Sequence, residues 1–429
     1  MTVNDVDFFD AQTRDCPYAA YQRLRDDAPV WRDPRTGMYV LTRYEDIRAA
    51  LLDPERFTNR VGNTAGRTEK ALRPEDAEVV RHELDLEEEL HQQYERDGWV
   101  TVPTLSGRDD PDHRNYRHLF DYAFRASRIR QLDPFVEGLA NRLVEGFIGS
   151  GRCDVVSEFA VPLPLYVIGR QLGFPEEDMP QIKVWTDAWI KRMGLMQTPD
   201  ERRRSAEQEI EAQHYFIKKV EQLRHSPEDT LLSDLVNNDI PGVGRPLNDN
   251  ELVSYIMGDL LVGGSETSAN GLSAGVMLLI QRPDLWGKLK SDLDANLKPF
   301  VEELLRIESP VQALLRETST EVELHGVTIP AGSVVALRFG SANRDERRFQ
   351  EPEEFDMDRP DPTAHLAFGL GTHHCLGAPL ARRELYFGFK VLAERIEKMW
   401  FLEGENDFSY APNYFVRALK QLNIGFVAA

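Results

Sequence analysis

The sequence predicts a mainly α-helical fold with a small β portion. Segments in which apolar residues recur with a 3.6-residue period occupy almost all of the stretch from residue 112 to 300. Short runs typical of β-strands lie near both ends of the chain, bounded by Gly and Pro turns. No linker or internal repeat divides the 429 residues, of which 41% are hydrophobic. We therefore expect a single domain over residues 1–429.

The N-terminal part of the chain predicts a helix over 17–26, then a hairpin, then a short helix over 46–52. The hairpin places strands 30–31 and 38–41 on either side of a turn that contains Pro and Gly. Residues 61–108 show weak periodicity and several Gly and Pro breaks. They predict a long loop with one acidic helix, and loops of this length in compact domains are usually functional.

The rest of the chain changes from helical to strand-like and back again. The long predicted helices cover residues 128–147, 180–193, 200–223 and 250–280. The predicted strands cover residues 322–324, 327–329 and 334–338, and a last helix covers residues 378–398.

The composition excludes several classes of protein. A formal net charge of −21 argues against a nucleic-acid binder, which would carry a basic stripe. The N-terminus is polar and acidic, and the longest apolar runs are far too short to cross a bilayer. We therefore expect a cytoplasmic protein without a membrane partner. Cys16, Cys153 and Cys375 are too few and too scattered for a disulfide framework.

Cys375 is the strongest candidate for a metal ligand. Gly369 and Gly371 permit positive φ angles, so the residues before the cysteine can form a tight loop with amides directed inward. The N-terminus of the predicted helix after Cys375 and the loop amides would lower the pKa of its thiol, which favours a thiolate ligand. The alternative is a buried free cysteine that packs as a small hydrophobe. A zinc site with the two preceding histidines is disfavoured because adjacent ligands cannot easily point at one ion.

The segment FGLGTHHCLG resembles the haem-binding loop of the cytochrome P450 family, FxxGxxxCxG, and matches every constant position. The resemblance implies a cytochrome P450 fold, haem b as the cofactor and Cys375 as the thiolate ligand of the haem iron. It also implies that Phe368 packs against the sulfur side of the haem and that His373 contacts a haem propionate. Gly369 and Gly377 belong to the same cofactor-binding loop.

A second motif resembles the ExxR pair of the family. Glu303 and Arg306 stand three residues apart on a predicted helix that has Pro299 near its N-terminus, and Arg359 fits the third member of the group. Planar pairing between arginine and carboxylate can hold an irregular segment beneath the haem. The resemblance therefore implies a structural role, with an ordinary surface ion pair as the alternative.

A third motif lies inside the predicted helix 250–280, where Gly263 and Gly264 each cost about 1 kcal/mol relative to alanine. The hydroxyl of Thr267 can bond back to the carbonyl of residue 263 and open the helix locally. The segment resembles the oxygen-activation motif of the family. The resemblance implies that Glu266 and Thr267 form the catalytic acid–alcohol pair that relays protons to dioxygen. Close helix packing on small residues is the alternative.

The resemblance also assigns the haem propionates to His113, Arg117, Arg316 and His373. His113 and Arg117 stand four residues apart, just after a predicted helix start at 109–112. Both side chains therefore share one helical face, which suits a pair of carboxylates. For His113 alone, a cap or surface role is the alternative.

The substrate pocket is predicted from segments that vary within the family, and each could equally be ordinary core. Asp259 lies four residues before Gly263 and so shares its helical face. We hypothesise that Asp259 contacts a polar or basic group of the substrate, with a salt bridge to a neighbouring helix as the alternative. Residues 61–108 are longer and more acidic than the family leads us to expect. The candidate pocket residues are Trp99, Trp189, Asp259, Val262, Gly263 and Phe415.

Together these motifs predict a haem-thiolate monooxygenase that inserts one oxygen atom from dioxygen into a hydrophobic small molecule. No flavin or nicotinamide motif accompanies them, so the electrons would come from a ferredoxin and a ferredoxin reductase. Nearby basic residues could dock an acidic ferredoxin: Arg125, Arg128, Arg130 and Arg382. A peroxide-dependent enzyme is an alternative that the acid–alcohol pair argues against. A non-enzymatic haem sensor would need neither that pair nor an apolar cavity.

Overall fold

A computed structural model describes residues 2–61 and 77–429, in which helices pack with three small β-sheets. Two π-helical segments, Val156–Ala160 and Tyr255–Val262, accompany the α-helices. The α-helices, numbered in chain order, are α1 (Ala11–Asp15), α2 (Tyr18–Asp27), α3 (Tyr44–Leu51), α4 (Ala77–Asp97), α5 (Asp112–Phe124), α6 (Ala126–Ile129), α7 (Asp133–Ile148), α8 (Pro162–Leu172), α9 (Met179–Met193), α10 (Pro199–His225), α11 (Leu231–Asn237), α12 (Asp249–Ser254), α13 (Gly263–Gln281), α14 (Pro283–Ser291), α15 (Leu293–Glu308), α16 (Phe339–Ala342) and α17 (Ala378–Arg395).

The strands come from both ends of the chain, as predicted, except β4, which lies within the stretch predicted to be helical. They are β1 (Val30–Arg32), β2 (Tyr39–Leu41), β3 (Phe57–Thr58), β4 (Arg152–Asp154), β5 (Ala313–Thr318), β6 (Val322–Leu324), β7 (Val327–Ile329), β8 (Val334–Arg338), β9 (Ile396–Phe401) and β10 (Asn423–Ala428). The largest sheet has the order β1-β2-β8-β5-β3, and the others are β4-β10-β9 and β6-β7. β5 lies inside the largest sheet, where Arg316 pairs with Val335 of β8. The register of β5 against β8 therefore fixes the position of the Arg316 side chain.

Most of the predicted elements are confirmed. The first predicted helix is α2, the hairpin is β1–β2 with Val30 opposite Leu41, and the short helix is α3. The strands predicted over 322–324, 327–329 and 334–338 coincide with β6, β7 and β8. Local patterns suffice here because each run is short and is bounded by a turn.

The prediction of one helix over residues 128–147 is wrong, because the segment is divided. α6 ends at Ile129, a 3-10 turn follows, and α7 begins at Asp133. Pro134 is the second residue of α7, where the missing N–H of proline costs no helical hydrogen bond. Apolar residues keep the same period across this break, so the pattern of the sequence does not reveal it.

Two other helix boundaries also differ from the prediction. α17 ends at Arg395, because Ile396 begins strand β9 opposite Ala428 rather than continuing the helix to residue 398. Pro299 does not lie near a helix start but inside α15, six residues after its first residue. That helix begins after Asp292, whose carboxylate caps it by accepting a 3.0 Å hydrogen bond from the Ala295 amide.

The predicted helix over residues 250–280 exists but is not a single α-helix. α12 passes into the π-helical segment Tyr255–Val262, and α13 starts at Gly263. A π-helix hydrogen bonds to the fifth residue rather than the fourth and is frequently found at functional sites. The face on which each side chain of this segment lies therefore differs from the face that a 3.6-residue period predicts.

The predicted acidic helix within residues 61–108 is α4, and residues 62–76 lie outside the described residues. α4 packs against α10 through a small hydrophobic cluster: Leu86, Leu90, Tyr94, Ala206 and Ile210. Beneath it, the largest core cluster joins α7, α8, α13, α15 and α17. Across the described parts of the chain, no helix is both long and apolar enough to span a membrane.

Candidate active site

A cavity lies between the π-helical segment with α13 on one side and the loop before α17 on the other. We name residues 366–377 the cysteine loop. Side chains from α5 and β5 and residues 415–416 complete the cavity wall. The structure brings every predicted catalytic and cofactor-binding residue to this cavity: His113, Arg117, Glu266, Thr267, Arg316, Phe368, Gly369, His373, Cys375 and Gly377.

The cysteine loop is held by hydrogen bonds between its own backbone groups. The amide of Cys375 donates to the carbonyl of Phe368 at 2.9 Å, and the amide of His374 donates to the carbonyl of Gly371 at 3.0 Å. Gly371 has a φ of 73°, and a Cβ there would lie 2.9 Å from the backbone oxygen of Leu51 in α3. Glycine is therefore required at this position both for its φ and for the close approach.

Cys375 lies three residues before α17, and its accessible surface faces the cavity. The predicted backbone donors are present, because the amides of Gly377 and Ala378 bond to the sulfur and lower its pKa. Burial is the larger effect, however, and the pKa of the thiol is raised above its usual value. The predicted donors, one of them the amide of the first residue of α17, thus lower the pKa as expected, but in the protein by itself desolvation outweighs them.

Beneath the cysteine loop, Glu303, Arg306 and Arg359 form the predicted three-residue group. The guanidinium of Arg306 donates to both carboxylate oxygens of Glu303 at 2.7 and 2.8 Å, and both side chains are fully buried. Arg359 donates to the same carboxylate at 3.2 Å. Arg306 also donates to the backbone oxygens of Asn343 and Pro352 at 2.8 Å. The group therefore ties an irregular segment to α15, as predicted.

One end of the cavity collects cationic and imidazole side chains. His113 and Arg117 reach it from α5, Arg316 from β5 and His373 from the cysteine loop. The rings of His113 and His373 pack with their centroids 4.2 Å apart. Arg117 also donates to the carbonyls of Thr372 and His374, at 3.2 and 2.9 Å, and so fastens the cysteine loop to α5.

The electrostatics of this end require negative charge. Burial and the positive neighbours His113, Arg316 and Arg117 lower the pKa of His373 to about 3. Burial lowers the pKa of Arg316 to about 10, since Asp109 alone opposes the effect. A buried guanidinium without a paired carboxylate is unfavourable. This end of the cavity therefore suits an anionic group.

The orphaned polar atoms of this end test whether the predicted cofactor fits. Nδ1 of His113 and Nε2 of His373 are buried without a hydrogen-bond partner. Nδ2 of Asn59, a cavity residue absent from the prediction, is buried and unpartnered as well. Two carboxylates would satisfy such donors. Haem b, with two propionates and an iron that takes a sulfur ligand, fits this donor set and the facing sulfur of Cys375.

On the opposite wall, Glu266 and Thr267 occupy the first turn of α13. The hydroxyl of Thr267 donates to the carbonyl of Gly263 at 3.3 Å, which confirms the predicted back-bond. Glu266 is buried and accepts a 3.0 Å hydrogen bond from Nζ of Lys183 in α9. Lys183 also pairs with Asp187 one turn along the same helix. The carboxylate of Glu266 is thus connected through Lys183 to a helix on the distal side.

Lys183 and Glu384 are two residues of this site that the sequence did not predict. The pairing of Lys183 with Asp187 is visible as an i,i+4 spacing, but its contact with Glu266 spans 83 residues and leaves no local signal. Glu384 of α17 lines the cavity, is fully buried and has no hydrogen-bond donor for either oxygen. Burial raises the pKa of Glu384 to about 8, and contact with Ser268 lowers it only in part.

Four of the candidate pocket residues line the cavity, namely Asp259, Val262, Gly263 and Phe415. The other two do not. Trp99 lies half-buried beside His214, with ring centroids 5.1 Å apart, and Trp189 is buried beneath the guanidinium of Arg192. A tryptophan pattern on an amphipathic helix does not distinguish a cavity wall from the core behind it.

Two further hypotheses concern Asp259 and zinc. The carboxylate of Asp259 accepts hydrogen bonds from the hydroxyl of Thr104 at 2.7 Å and the amide of Leu105 at 3.0 Å. Among the described residues Asp259 forms no salt bridge. The alternative, a salt bridge from Asp259 to a neighbouring helix, is therefore wrong. Within residues 2–61 and 77–429, no three His, Cys, Asp or Glu side chains, those of the cysteine loop included, meet as ligands for a metal ion.

Comparisons with known proteins agree with this geometry. A family model described as cytochrome P450 matches residues 187–395. The chain is 30% identical over 408 residues to the steroid C26-monooxygenase of Mycobacterium tuberculosis, a match that covers 95% of this chain and 93% of that protein. It is 31% identical over 416 residues to the polyketide biosynthesis cytochrome P450 PksS of Bacillus subtilis, with 95% of each covered. The solved structure of P450BioI in complex with hexadec-9Z-enoic acid ligated acyl carrier protein aligns with a TM-score of 0.82 at 28% identity, covering 97% of this chain and 100% of that chain.

Proposed function

Because this chain belongs to the cytochrome P450 family, we propose that it inserts one oxygen atom of dioxygen into a hydrophobic small molecule bound in the cavity, where the sulfur of Cys375 would hold the haem iron. The protein is a haem-thiolate monooxygenase, and its cofactor is haem b. The observation that carries the proposal is one cavity with a sulfur on one wall, an acid–alcohol pair on the other and an anion-binding end between them.

The chain's own residues hold the cofactor in this proposal. His113, Arg117, Arg316 and His373 bind the propionates, and Asn59 supplies a further donor. The amides of Gly377 and Ala378 bond to the sulfur and moderate its charge, and Phe368 lines the same cavity. Bound there, haem supplies the iron centre at which dioxygen is activated. The buried Glu303 group keeps the segment beneath the loop in place.

Glu266 and Thr267 supply protons on the facing wall. The side chain of Lys183 is 24% exposed, so it remains in contact with solvent while it holds the carboxylate of Glu266. Rotation of Glu266 away from Lys183 carries a proton from that side toward the cavity. The hydroxyl of Thr267 makes only a long bond to Gly263, which leaves it able to turn and donate. A positioned acid and hydroxyl of this kind suit general acid catalysis.

The substrate is an apolar organic molecule, and hydroxylation is the expected reaction. Apolar side chains dominate the distal wall of the cavity, among them Ile168, Ile190, Met193, Val262 and Phe415. Relatives are named as a steroid C26-monooxygenase and as an enzyme of polyketide biosynthesis. Terpenoids, steroids, fatty acids and aromatic compounds all suit such a wall. Screening these classes for compounds that shift the haem spectrum identifies the substrate class.

The electrons come from a ferredoxin and its reductase, which dock on the cysteine side. Arg130 is exposed there, and Arg125 and Arg128 lie on the same segment. Arg382 is a weaker candidate, since it pairs with both carboxylate oxygens of Glu302 at 2.6 and 3.0 Å and stacks on Phe368. Burial raises the pKa of Glu302, but hydrogen bonds from His365 and Arg382 outweigh this effect and lower the pKa to about 2.

Salt dependence tests the docking proposal. Turnover supported by the native ferredoxin is expected to fall as ionic strength rises, because exposed charges attract across a screened distance of about 10 Å at 0.1 M salt. Arg130→Gln is expected to weaken that dependence, whereas Arg23→Gln, in an exposed pair on α2, serves as the control. Turnover that does not change with salt would contradict the proposal.

The whole proposal is tested by the spectrum of the purified protein. The reduced protein with carbon monoxide should show the red-shifted absorption band of a thiolate-bound haem. Product formation should require both the reductant and dioxygen, and hydrogen peroxide should not replace them. A protein without porphyrin, or with an imidazole-type band, would overturn the assignment of Cys375.

A further inference from the structure

Residues 99–108, here named the strap, follow α4 and cross the distal side of the cavity. Four side chains from other parts of the chain hold them. Gln213 of α10 accepts from the amide of Trp99 at 2.9 Å and donates to its carbonyl at 2.8 Å. Ser254 at the end of α12 accepts from the amide of Val102 at 3.0 Å.

The remaining two holders lie on the same helical run as Ser254. Asp259 accepts from Thr104 and Leu105, and Glu251 lies 3.6 Å from the guanidinium of Arg108. Each of these contacts joins residues more than a hundred positions apart. The strap therefore owes its place to tertiary contacts and not to its own sequence.

The π-helical segment explains how Asp259 reaches the strap. At 3.6 residues per turn, Ser254 and Asp259 would point about 140° apart around the helix axis. In the segment Tyr255–Val262 the hydrogen bonds run to the fifth residue, so each turn takes more residues than in an α-helix and the angle between these two side chains is smaller. Ser254 and Asp259 are five residues apart, and both contact strap residues 102–105. The wide turn thus brings Asp259 to the strap side and still leaves it on the cavity wall.

We propose that Asp259 is a positioning residue that determines which substrates fit: its carboxylate holds residues 104–106 so that Leu105 and Ser106 form part of the distal cavity wall. Both of these strap residues line the cavity, as Asp259 itself does. The carboxylate bonds directly to the amide of Leu105, and so it fixes the backbone from which both side chains project. The proposal goes beyond the proposed function and rests on it only in taking this cavity as the substrate site.

Stability alone does not account for a carboxylate at this position. Desolvation raises the pKa of Asp259 to about 6 in spite of the hydrogen bonds from Thr104, Leu105 and Ser106 and the charge of Arg108. The ionised carboxylate thus costs folding free energy near neutral pH. The amide of Leu105 and the hydroxyl of Thr104 each bond to a different carboxylate oxygen. This arrangement favours a structural partner, the strap, over a basic group of the substrate.

Hydrogen exchange of the haem-loaded protein tests the contact itself. In Asp259→Asn, the amide of Leu105 is expected to exchange about tenfold faster or more, because a buried amide loses a charged acceptor. Thr104→Val removes a second donor without altering the buried helix and is expected to act in the same direction more weakly. Asp249→Asn, an acidic residue of α12 paired with Arg224, is the matched control and should leave the strap unchanged.

Binding of azole probes of two sizes tests the effect on the cavity. Imidazole and 4-phenylimidazole are titrated against the haem spectrum of each variant. In Asp259→Asn, the ratio of the two dissociation constants is expected to change by about tenfold. The constant for imidazole should change less than that for 4-phenylimidazole, because the larger probe extends toward the wall that has moved. Thr104→Val serves as the test should Asp259→Asn fail to fold.

Three outcomes would overturn the proposal. The first is unchanged exchange at Leu105 in both variants. The second is faster exchange with an unchanged ratio of azole affinities, which would make Asp259 merely structural. Loss of affinity confined to cationic compounds, with the strap intact, would support direct contact with substrate and also overturn it. Failure of the proposed function is separate, since the wild-type protein would then lack the thiolate-type band.

Discussion

The cysteine loop and the strap lie on opposite sides of one cavity and are built in different ways. In the cysteine loop, the amide of Cys375 bonds to Phe368, seven residues away, and that of His374 bonds to Gly371, three residues away. In the strap, Val102 and Leu105 bond to side chains 152 and 154 residues away. A contiguous motif can specify the first region, whereas only the completed fold can specify the second. The proposed haem ligand therefore lies in the locally encoded loop, and the wall to which we assign substrate selection lies in the strap.

The largest expected effect comes from removing the sulfur of Cys375, which should alter the cysteine loop but not the strap. Cys375→Ser removes the proposed ligand and leaves the strap untouched, so oxygenation should fall to background and the thiolate-type band should disappear. The reduced spectrum with carbon monoxide measures this loss. Hydrogen exchange of the strap should match that of the wild type. A variant that retained the thiolate-type band would show that the sulfur of Cys375 is not the ligand.

The second prediction concerns the support beneath the cysteine loop. Glu303→Gln leaves Arg306 and Arg359 without a buried counter-charge, and it should lower the free energy of unfolding by about 3–5 kcal/mol. Denaturant titration measures the change. Asp27→Asn, in an exposed i,i+4 pair with Arg23, should cost less than about 1 kcal/mol. Equal losses in both variants would show that burial does not decide the strength of this group.

The third prediction compares two hydroxyls on the same turn of α13. Thr267→Val should lower the rate of oxygenation by about a hundredfold, because it removes the hydroxyl that faces the cavity. Ser265 bonds to the carbonyl of Leu261 in the same back-bonding manner but is not a cavity residue. Ser265→Ala should therefore retain the rate. Equal rates for the two variants would assign the role of Thr267 to helix geometry rather than to proton supply.

The smallest expected effect is a change in pH dependence. The pKa of Glu384 is raised from 4.5 to about 8 in the folded protein, so between these values the unfolded chain releases a proton that the folded chain keeps. The stability of the wild type should therefore fall as pH rises from 4.5 to 8. Glu384→Gln should remove this slope and raise the Tm at pH 8 by a few degrees, about 1 °C for each kcal/mol in a chain of this length. Melting curves at pH 5 and 8 measure it; parallel changes in both proteins would contradict burial of a neutral carboxyl.

Much of the fold was predictable because its information is local. The strands 322–324, 327–329 and 334–338 were correct to the residue, since turns bound each run. The predicted helix boundaries were wrong where contact with another segment decides between helix and strand. Ile396 fits a helix as well as a strand, and pairing with Ala428 decides for the strand. Apolar periodicity likewise could not detect the wide turns at Tyr255–Val262.

The candidate site divides in the same way. The ligand candidates of the cysteine loop, the acid–alcohol pair and the Glu303 group were all found through the resemblance of their motifs to those of the cytochrome P450 family. The pKa of Cys375 was not, because it depends on how deeply the surrounding chain buries the sulfur. Lys183 was missed for a related reason: its contact with Glu266 joins two helices 83 residues apart. Trp189 and Asp259 are both on cavity-side helices, yet only Asp259 reaches the wall.

The sequence by itself determined the family, the cysteine loop and the groups that surround the sulfur, because these depend on residue types at short separations and on backbone angles that glycine alone permits. Only the tertiary structure decided which side chains form the distal wall. Asp259 contacts the strap because a wide helical turn, α4 and α10 together bring the strap within hydrogen-bonding distance of it. Contacts of that kind depend on packing between distant segments, and no local pattern in the chain encodes them.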